Sequence, residues 1–183
     1  MVIGERVRIR AVEKDDLPRF VVWLNDPEVK RNLAFFQPIS LSQEEKWFEN
    51  NLEQPPGEQS LSLDIRLSDV WEHFGGIGFR NCDQRERSAE IGIMIGRKDF
   101  WNQGYGCEAM RLMAGYGFGN LNLNRIYLQV FETNPAGIRC YEKAGFKHEG
   151  RLREARYHEG HYIDVLMMSI LKNDWKKENG GNV

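Results

Sequence analysis

The sequence predicts an α/β fold in which one mixed sheet carries helices on both faces. Three observations lead there. An apolar strand, Ile91 to Ile95, runs through a glycine-containing loop into a helix. A second strand, Arg125 to Phe131, runs into a shorter helix that opens on Asn134-Pro135 and stops at Gly145. Elsewhere, period-2 alternation and helical spacing follow one another in the order β-αα-βββ-α-β-α-ββ, about seven strands in all.

Taken in order, Val7 to Arg10 alternates with charged residues and opens the sheet. Asp15 or Asp16 is expected to cap a helix reaching about Asn25, with Leu17, Phe20, Val21 and Leu24 inward. Asn25 to Leu41 is a mixed segment holding Phe35, Phe36 and Pro38. A second helix is expected from Ser42, where Ser42 and Glu45 have capping-box spacing, to about Leu52. Gln54-Pro55-Pro56-Gly57 is a turn, and Ser60 to Leu67 alternates as a strand. Ser68 to His73 reads as a connection. Phe74 to Arg80 is the next strand, weakened or bulged by Gly75, Gly76 and Gly78. Asn81 to Ser88 is a polar turn, and Ala89 starts the central strand. The helix after the glycine loop sets Met110, Met113, Ala114, Gly117 and Phe118 at helical spacing, with Gly119 as its stop. Lys147 to Tyr157 and Tyr162 to Leu171 form two closing strands around His158-Glu159-Gly160-His161. From 172 to 183 the chain is expected to be a polar, frayed tail. Residues 1–183 are therefore expected to form one domain, large enough for its own core.

Composition narrows the partners. A net charge of −2 gives no global basic field for nucleic acid or a membrane surface. No apolar run approaches the ~20 residues of a membrane span. Three scattered cysteines, Cys82, Cys107 and Cys140, form no CxxC and no metal-like spacing. With no apparent signal peptide they suit a reducing cytoplasm, and no metal is expected.

Gly104-Tyr105-Gly106 lies between a strand and a helix N-terminus. Free N–H groups and the macrodipole favour an anion there, phosphate above all. The P-loop pattern is absent. Gly104, Gly106 and Ala109 fit a dinucleotide fingerprint, which wants an acidic residue roughly 20 positions on. The run Gly117 to Phe131 has no Asp or Glu, which demotes that reading.

Strand, GYG turn, long helix, strand, Asn-Pro helix with Tyr141, then Ala144-Gly145-Phe146: this series resembles the GNAT superfamily of acetyl-CoA-dependent N-acetyltransferases. The opening VRIRAVEKDDLPRFVVWLND and the ending EGRLREARYHEGHYIDVLMMSIL resemble the branch of ribosomal-protein N-terminal and spermidine acetyltransferases. The resemblance implies a mostly antiparallel, twisted sheet that splays at the cofactor cleft. It implies that Ile93 to Ile95 polarise the thioester through backbone N–H groups, and that Met94, Ile95 and Gly96 pair with pantetheine. Trp101, Asn102, Gln103, Gly104, Tyr105, Gly106 and Cys107 would wrap the pyrophosphate, with Asn134 on the pantetheine arm. The superfamily pattern [Q/R]xxGx[G/A] is broken by Trp101 at its first position.

Acetyl transfer must deprotonate an amine, with pKa ~10.4 for a lysine-like amine or ~7.8 for an α-amine, and must protonate the leaving thiolate. Glu90, heading the central strand, is the candidate base; the alternative is a solvated residue paired with Arg85 or Arg87. Tyr141 is the candidate acid and also lies in the cofactor set; the alternative is a core tyrosine against Phe146. Arg97 and Lys98 are local cations for phosphate. Cys107 reads as a small helix-start residue, and His158 and His161 as turn residues. The resemblance places the acceptor between Asn25–Leu41 and Arg156–Tyr162, where Phe35, Phe36 and Tyr157 would form an apolar wall and Asp26, Glu28 and Glu159 would attract a cation. A protein N-terminus or a polyamine is the expected amine. An aminoglycoside, an amino-sugar or a non-catalytic acetyl-CoA sensor are the alternatives, and a homodimer is expected from relatives.

Overall fold

The structure is a computed structural model that describes residues 1–178. Its strands are β1 (Val2–Ile3), β2 (Val7–Ala11), β3 (Leu61–Leu67), β4 (Val70–Asp83), β5 (Ser88–Ile95), β6 (Arg125–Phe131), β7 (Lys147–His158) and β8 (His161–Leu171). They form one sheet in the order β1-β2-β3-β4-β5-β6-β8-β7. The helices are α1 (Leu17–Asn25), α2 (Pro27–Lys30), α3 (Leu41–Glu53), α4 (Tyr105–Gly119), α5 (Pro135–Lys143) and α6 (Lys172–Glu178). No helix among the described residues is long and apolar enough to cross a membrane.

Period-2 alternation assigns the two faces. Ile77 and Phe79 of β4 and Ala89 and Ile91 of β5 enter a buried cluster with Met110, Met113, Ala114 and Phe118 of α4. Each large apolar side chain so buried contributes about 1.5–3 kcal/mol. Gly76, between Ile77 and Gly75, turns the other way and meets Phe20 of α1. There Phe20, Trp23, Leu17 and Val12 form a second cluster with Trp47 and Phe48 of α3.

Every neighbouring pair of strands is antiparallel except β5 and β6. Those two are parallel and pair only at Ser88–Arg125, Ala89–Ile126 and Glu90–Tyr127. Beyond them β5 stays on β4 as far as Ile95, while β6 stays on β8 as far as Phe131. The sheet therefore splits into a V. The splay implied by the family resemblance is present.

Several local expectations are corrected. A two-residue β1 makes eight strands. Trp23 is buried in α1, whereas Val21 and Leu24 are only partly covered. The capping box of α3 is Ser40 with Gln43, not Ser42 with Glu45. β4 begins at Val70, so His73 lies within a strand and the connection shrinks to Ser68-Asp69. Residues 172–178 do not fray: they form α6, whose Trp175 is buried with its ring 6.0 Å from that of Phe118. The rest of the expected tail, 179–183, lies outside the described residues.

Candidate active site

Between the arms of the V is a cavity of about 540 Å³, within the range of ligand pockets. Ile93, Met94 and Ile95 line it from β5, Trp101, Asn102, Gly104, Gly106 and Cys107 from the loop and the start of α4, and Asn134 and Tyr141 from α5. Gly96, Gln103, Tyr105 and Glu90 do not line it.

The β6-facing edge of β5 from Ile91 to Ile95 has no strand partner, because β6 has already diverged. Trp101, at the position where the superfamily pattern has Gln or Arg, donates its indole N–H to the Ile95 carbonyl at 2.9 Å. Gly96 is committed elsewhere, since its N–H bonds the Phe74 carbonyl at 2.9 Å. It must be glycine because Trp23 packs onto it. A Cβ would lie 2.0 Å from the indole ring.

Gly104 caps α4 in a left-handed conformation, φ 86°, with no side-chain cap. The first helical N–H groups, those of Tyr105, Gly106 and Cys107, are therefore left for an anion. Gln103 instead bonds the Asp99 carbonyl, across the loop. Tyr105 packs on Phe74 and Phe100 under the Arg6 guanidinium, 4.7 Å from its ring. Arg97 pairs with Glu72 at 3.0 Å and with Asp99. Lys98 pairs with Asp26 at 2.8 Å and with Glu28. Both are thus engaged by carboxylates, and neither lines the cavity. The cations that do line it are Arg139 and Lys143 of α5. They were missed because only the folded α5 aims them inward; their i, i+4 spacing on one helix face was the available signal.

Asn134 caps α5, its side chain accepting from Gly137 N–H at 2.9 Å. The helix carries Tyr141 to the cavity wall, its ring 6.3 Å from that of Phe146. Burial pushes the Tyr141 phenol up, so it stays protonated at neutral pH. No hydrogen bond ties its hydroxyl among the described residues. Cys107 is buried as the third residue of α4 and donates to the Cys140 carbonyl at 3.2 Å. The Cys140 thiol, then Arg111 and Lys143, draw the Cys107 thiol below its ordinary range, while Cys140 is pushed up.

Glu90 is buried away from the cavity. Arg80 binds one of its oxygens at 2.6 Å and Asn81 the other at 2.9 Å. Its partner is thus neither Arg85 nor Arg87. Among the described residues no cluster of His, Cys, Asp and Glu has a metal-holding arrangement.

At the other end, Val29, Asn32 and Leu33 close the cavity. The 29–36 segment meets the β7–β8 tip through Arg31 and Glu159, 3.3 Å apart. Phe36, Tyr157 and Tyr162 stand exposed there, and the two tyrosine rings are 5.2 Å apart. His158 packs on Phe131, and His161 bonds the Glu159 carbonyl.

A family profile described as an acetyltransferase (GNAT) domain matches residues 6–147. The chain is 33% identical over 173 residues to the uncharacterized N-acetyltransferase p20 of Bacillus licheniformis, covering 93% of this chain and 96% of that one. It is 28% identical over 174 residues to the spermidine N(1)-acetyltransferase of Vibrio cholerae, covering 94% and 97%. A crystal structure of spermidine N-acetyltransferase from Vibrio cholerae, in complex with CoA and spermine, superposes with a TM-score of 0.84 at 26% identity over 94% of this chain and 99% of that one. The chain belongs to the GNAT family and is an acetyltransferase.

Proposed function

We propose that the protein transfers the acetyl group of acetyl-CoA to a primary amine by direct attack in a ternary complex, the acceptor being a protein N-terminal α-amine or a polyamine-like compound. The observation that carries this is the split between β5 and β6, with an uncapped helix N-terminus at one end and a free phenol in its wall. The residues present fit acetyl-CoA. The N–H groups of 105–107 with Arg139 and Lys143 suit its phosphates, and the unpaired edge of β5 suits its amide-bearing arm. Bound there, it would supply an activated thioester. Backbone N–H groups near Ile93 to Ile95 would polarise a carbonyl and stabilise an oxyanion. Tyr141 would donate the proton a leaving thiolate needs. Glu90, with both oxygens engaged, acts in this reading as a tie between β4 and β5. β7 is a sheet edge exposed along nearly its whole length, which supports pairing with a second copy. Three free cysteines fit a reducing cytoplasm.

The test is thiol release from acetyl-CoA over peptides, polyamines, amino-sugars and aminoglycosides, alongside a CoA titration. Turnover on the first two classes supports the proposal, and turnover only on the last two moves the acceptor. Tight CoA binding with no turnover favours a sensor, and no CoA binding overturns the reading of the cleft.

A further inference from the structure

We propose that Cys107 and Cys140 are a redox pair in the cleft: a peroxide joins them in a disulfide, and that disulfide and a bound cofactor exclude each other. The first half stands on the two cysteines alone. The second half rests on the acetyl-CoA reading above.

Both residues line the same cavity. The Cys107 thiol, at the start of α4, donates to the Cys140 carbonyl at 3.2 Å. Cys140 lies on α5, and its sulfur faces the start of α4: a Cβ on Gly106 would lie 3.8 Å from it. About one turn further on, Arg111 of α4 bonds the Lys143 carbonyl, so the two helices are already held together there. The setting of Cys107 is that of a reactive thiol, because a helix N-terminus and nearby cations stabilise a thiolate. The α4 ladder starts with the Glu108 N–H on the Gly104 carbonyl at 3.0 Å, which leaves the Cys107 N–H among the free donors. The Cys140 thiol, then Arg111 and Lys143, draw the Cys107 thiol below its ordinary range. Cys140 keeps its proton, chiefly because the Cys107 sulfur faces it. Cys82 on β4 is the contrast, since burial and then Glu58 push its thiol up to about 11.

A peroxide entering the cavity meets the Cys107 thiolate first. The sulfur attacks one oxygen and the O–O bond breaks. Cys107 becomes a sulfenic acid, and the hydroxide released takes up a proton and leaves as water. The negative charge that held the Cys140 proton is then gone. The Cys140 sulfur attacks that of Cys107, its proton passes to the departing hydroxide, and the S–S bond and a second water form. Two thiols lose two electrons, and the peroxide is reduced to two waters. Drawing the sulfurs to about 2.05 Å pulls α5 onto the start of α4. Those elements carry the N–H groups of 105–107 and the Arg139 and Lys143 side chains, so the cleft narrows where the phosphates are proposed to lie. In the other direction, a bound phosphate competes with the thiolate for the helix N-terminus and for Lys143, and so raises the thiol pKa. Linkage makes the equilibrium coupling the same in both directions.

The experiment treats the full chain with hydrogen peroxide, with and without saturating acetyl-CoA, whose sulfur is blocked and cannot itself be oxidised to a disulfide. It reads free thiols in denaturant, cross-linked peptides by mass spectrometry, and the acetyl-CoA Kd by calorimetry once the peroxide is removed. Free thiols are expected to fall from three to one, with Cys107 and Cys140 in a single cross-linked pair. The acetyl-CoA Kd should rise about tenfold, within the ordinary range of coupling between sites, and dithiothreitol should restore both readouts. Saturating acetyl-CoA should slow the loss of thiols. In Cys140→Ser no disulfide should form, Cys107 should be trapped as a sulfenic acid by dimedone, and Cys82→Ser should still form the pair. Retention of all three thiols, a disulfide that includes Cys82, or a Cys107–Cys140 disulfide that leaves the acetyl-CoA Kd unmoved overturns the proposal. Absence of acetyl-CoA binding by the reduced protein removes the cofactor reading instead, while the thiol count and the cross-linked peptide still decide whether the pair forms.

Discussion

The two ends of the cleft are made of different material. The end proposed for the cofactor is mostly backbone: a strand edge left open by the splay, and a helix start whose cap, Gly104, contributes no side chain. The end proposed for the acceptor is side chains drawn from segments more than a hundred residues apart, pinned by Arg31–Glu159 and Lys98–Asp26. Beneath it the α1–α3 layer rests on buried charge. Asp16 accepts from Arg10 at 2.6 and 2.9 Å, from Arg19 at 2.7 Å and from Ser62 at 2.9 Å, while Asp64 holds Arg8 and Arg10. A backbone site depends on fold and glycine, whereas a side-chain site depends on who pairs with whom. Substitutions at one end should therefore leave the other's readout unmoved.

Tyr141 stands where the ends meet, and Tyr141→Phe is expected to have the largest effect. It should lower kcat about 10²–10⁴-fold while the CoA Kd from calorimetry stays unchanged. Retained turnover would remove the phenol from the chemistry.

Asp16→Asn should cost about 3 kcal/mol in urea unfolding, since it breaks the buried pair with Arg10 and leaves that guanidinium only Asp64. Burial by itself would raise the Asp16 carboxyl, but bonds from Arg10, the Glu13 N–H and Arg19 hold it well below the usual range. Its stabilisation is thus full above about pH 4 and is lost as pH falls through the depressed folded value. The CoA Kd of the folded variant should match wild type. A shift would show that the two ends are coupled.

Two buried groups on the acceptor side titrate in opposite senses. Burial pushes Glu44 up to about 7, so stability falls as pH rises through about 4.5–7. Burial pulls His73 down to about 4, so stability falls as pH drops from about 6.5 toward 4. The slopes partly cancel. Glu44→Gln should gain on the order of 2 kcal/mol at pH 8, gain nothing at pH 4, and expose the His73 slope in chemical denaturation at several pH values.

The smallest effect is expected at the phosphates. Arg139→Ala or Lys143→Ala should weaken CoA by about 1–2 kcal/mol, roughly 5–30-fold in Kd. Added salt should shrink the loss, and acceptor KM should hold.

The same contrast explains what could be read in advance. Gly104, Asn134, Gly145 and the apolar face of α4 are written in neighbouring residues, and the structure holds them where their local chemistry puts them. The Ser40 cap was misplaced because Ser42 and Glu45 offer the same spacing two residues on. The 172–178 helix was hidden because its apolar anchor, Trp175, needs Phe118 from α4 to bury it.

By itself the sequence determined the order of the main strands and helices, the two strand–helix units and through them the family, because each rests on contacts within a few residues. Only the tertiary structure decided the charges. Glu90 looked free until Arg80 and Asn81 closed on it, Lys98 looked ready for phosphate until α2 brought Asp26, and Arg139 and Lys143 became the cleft's cations only when α5 docked. Coulomb energy depends on distance and burial, and neither is a property of position along a chain.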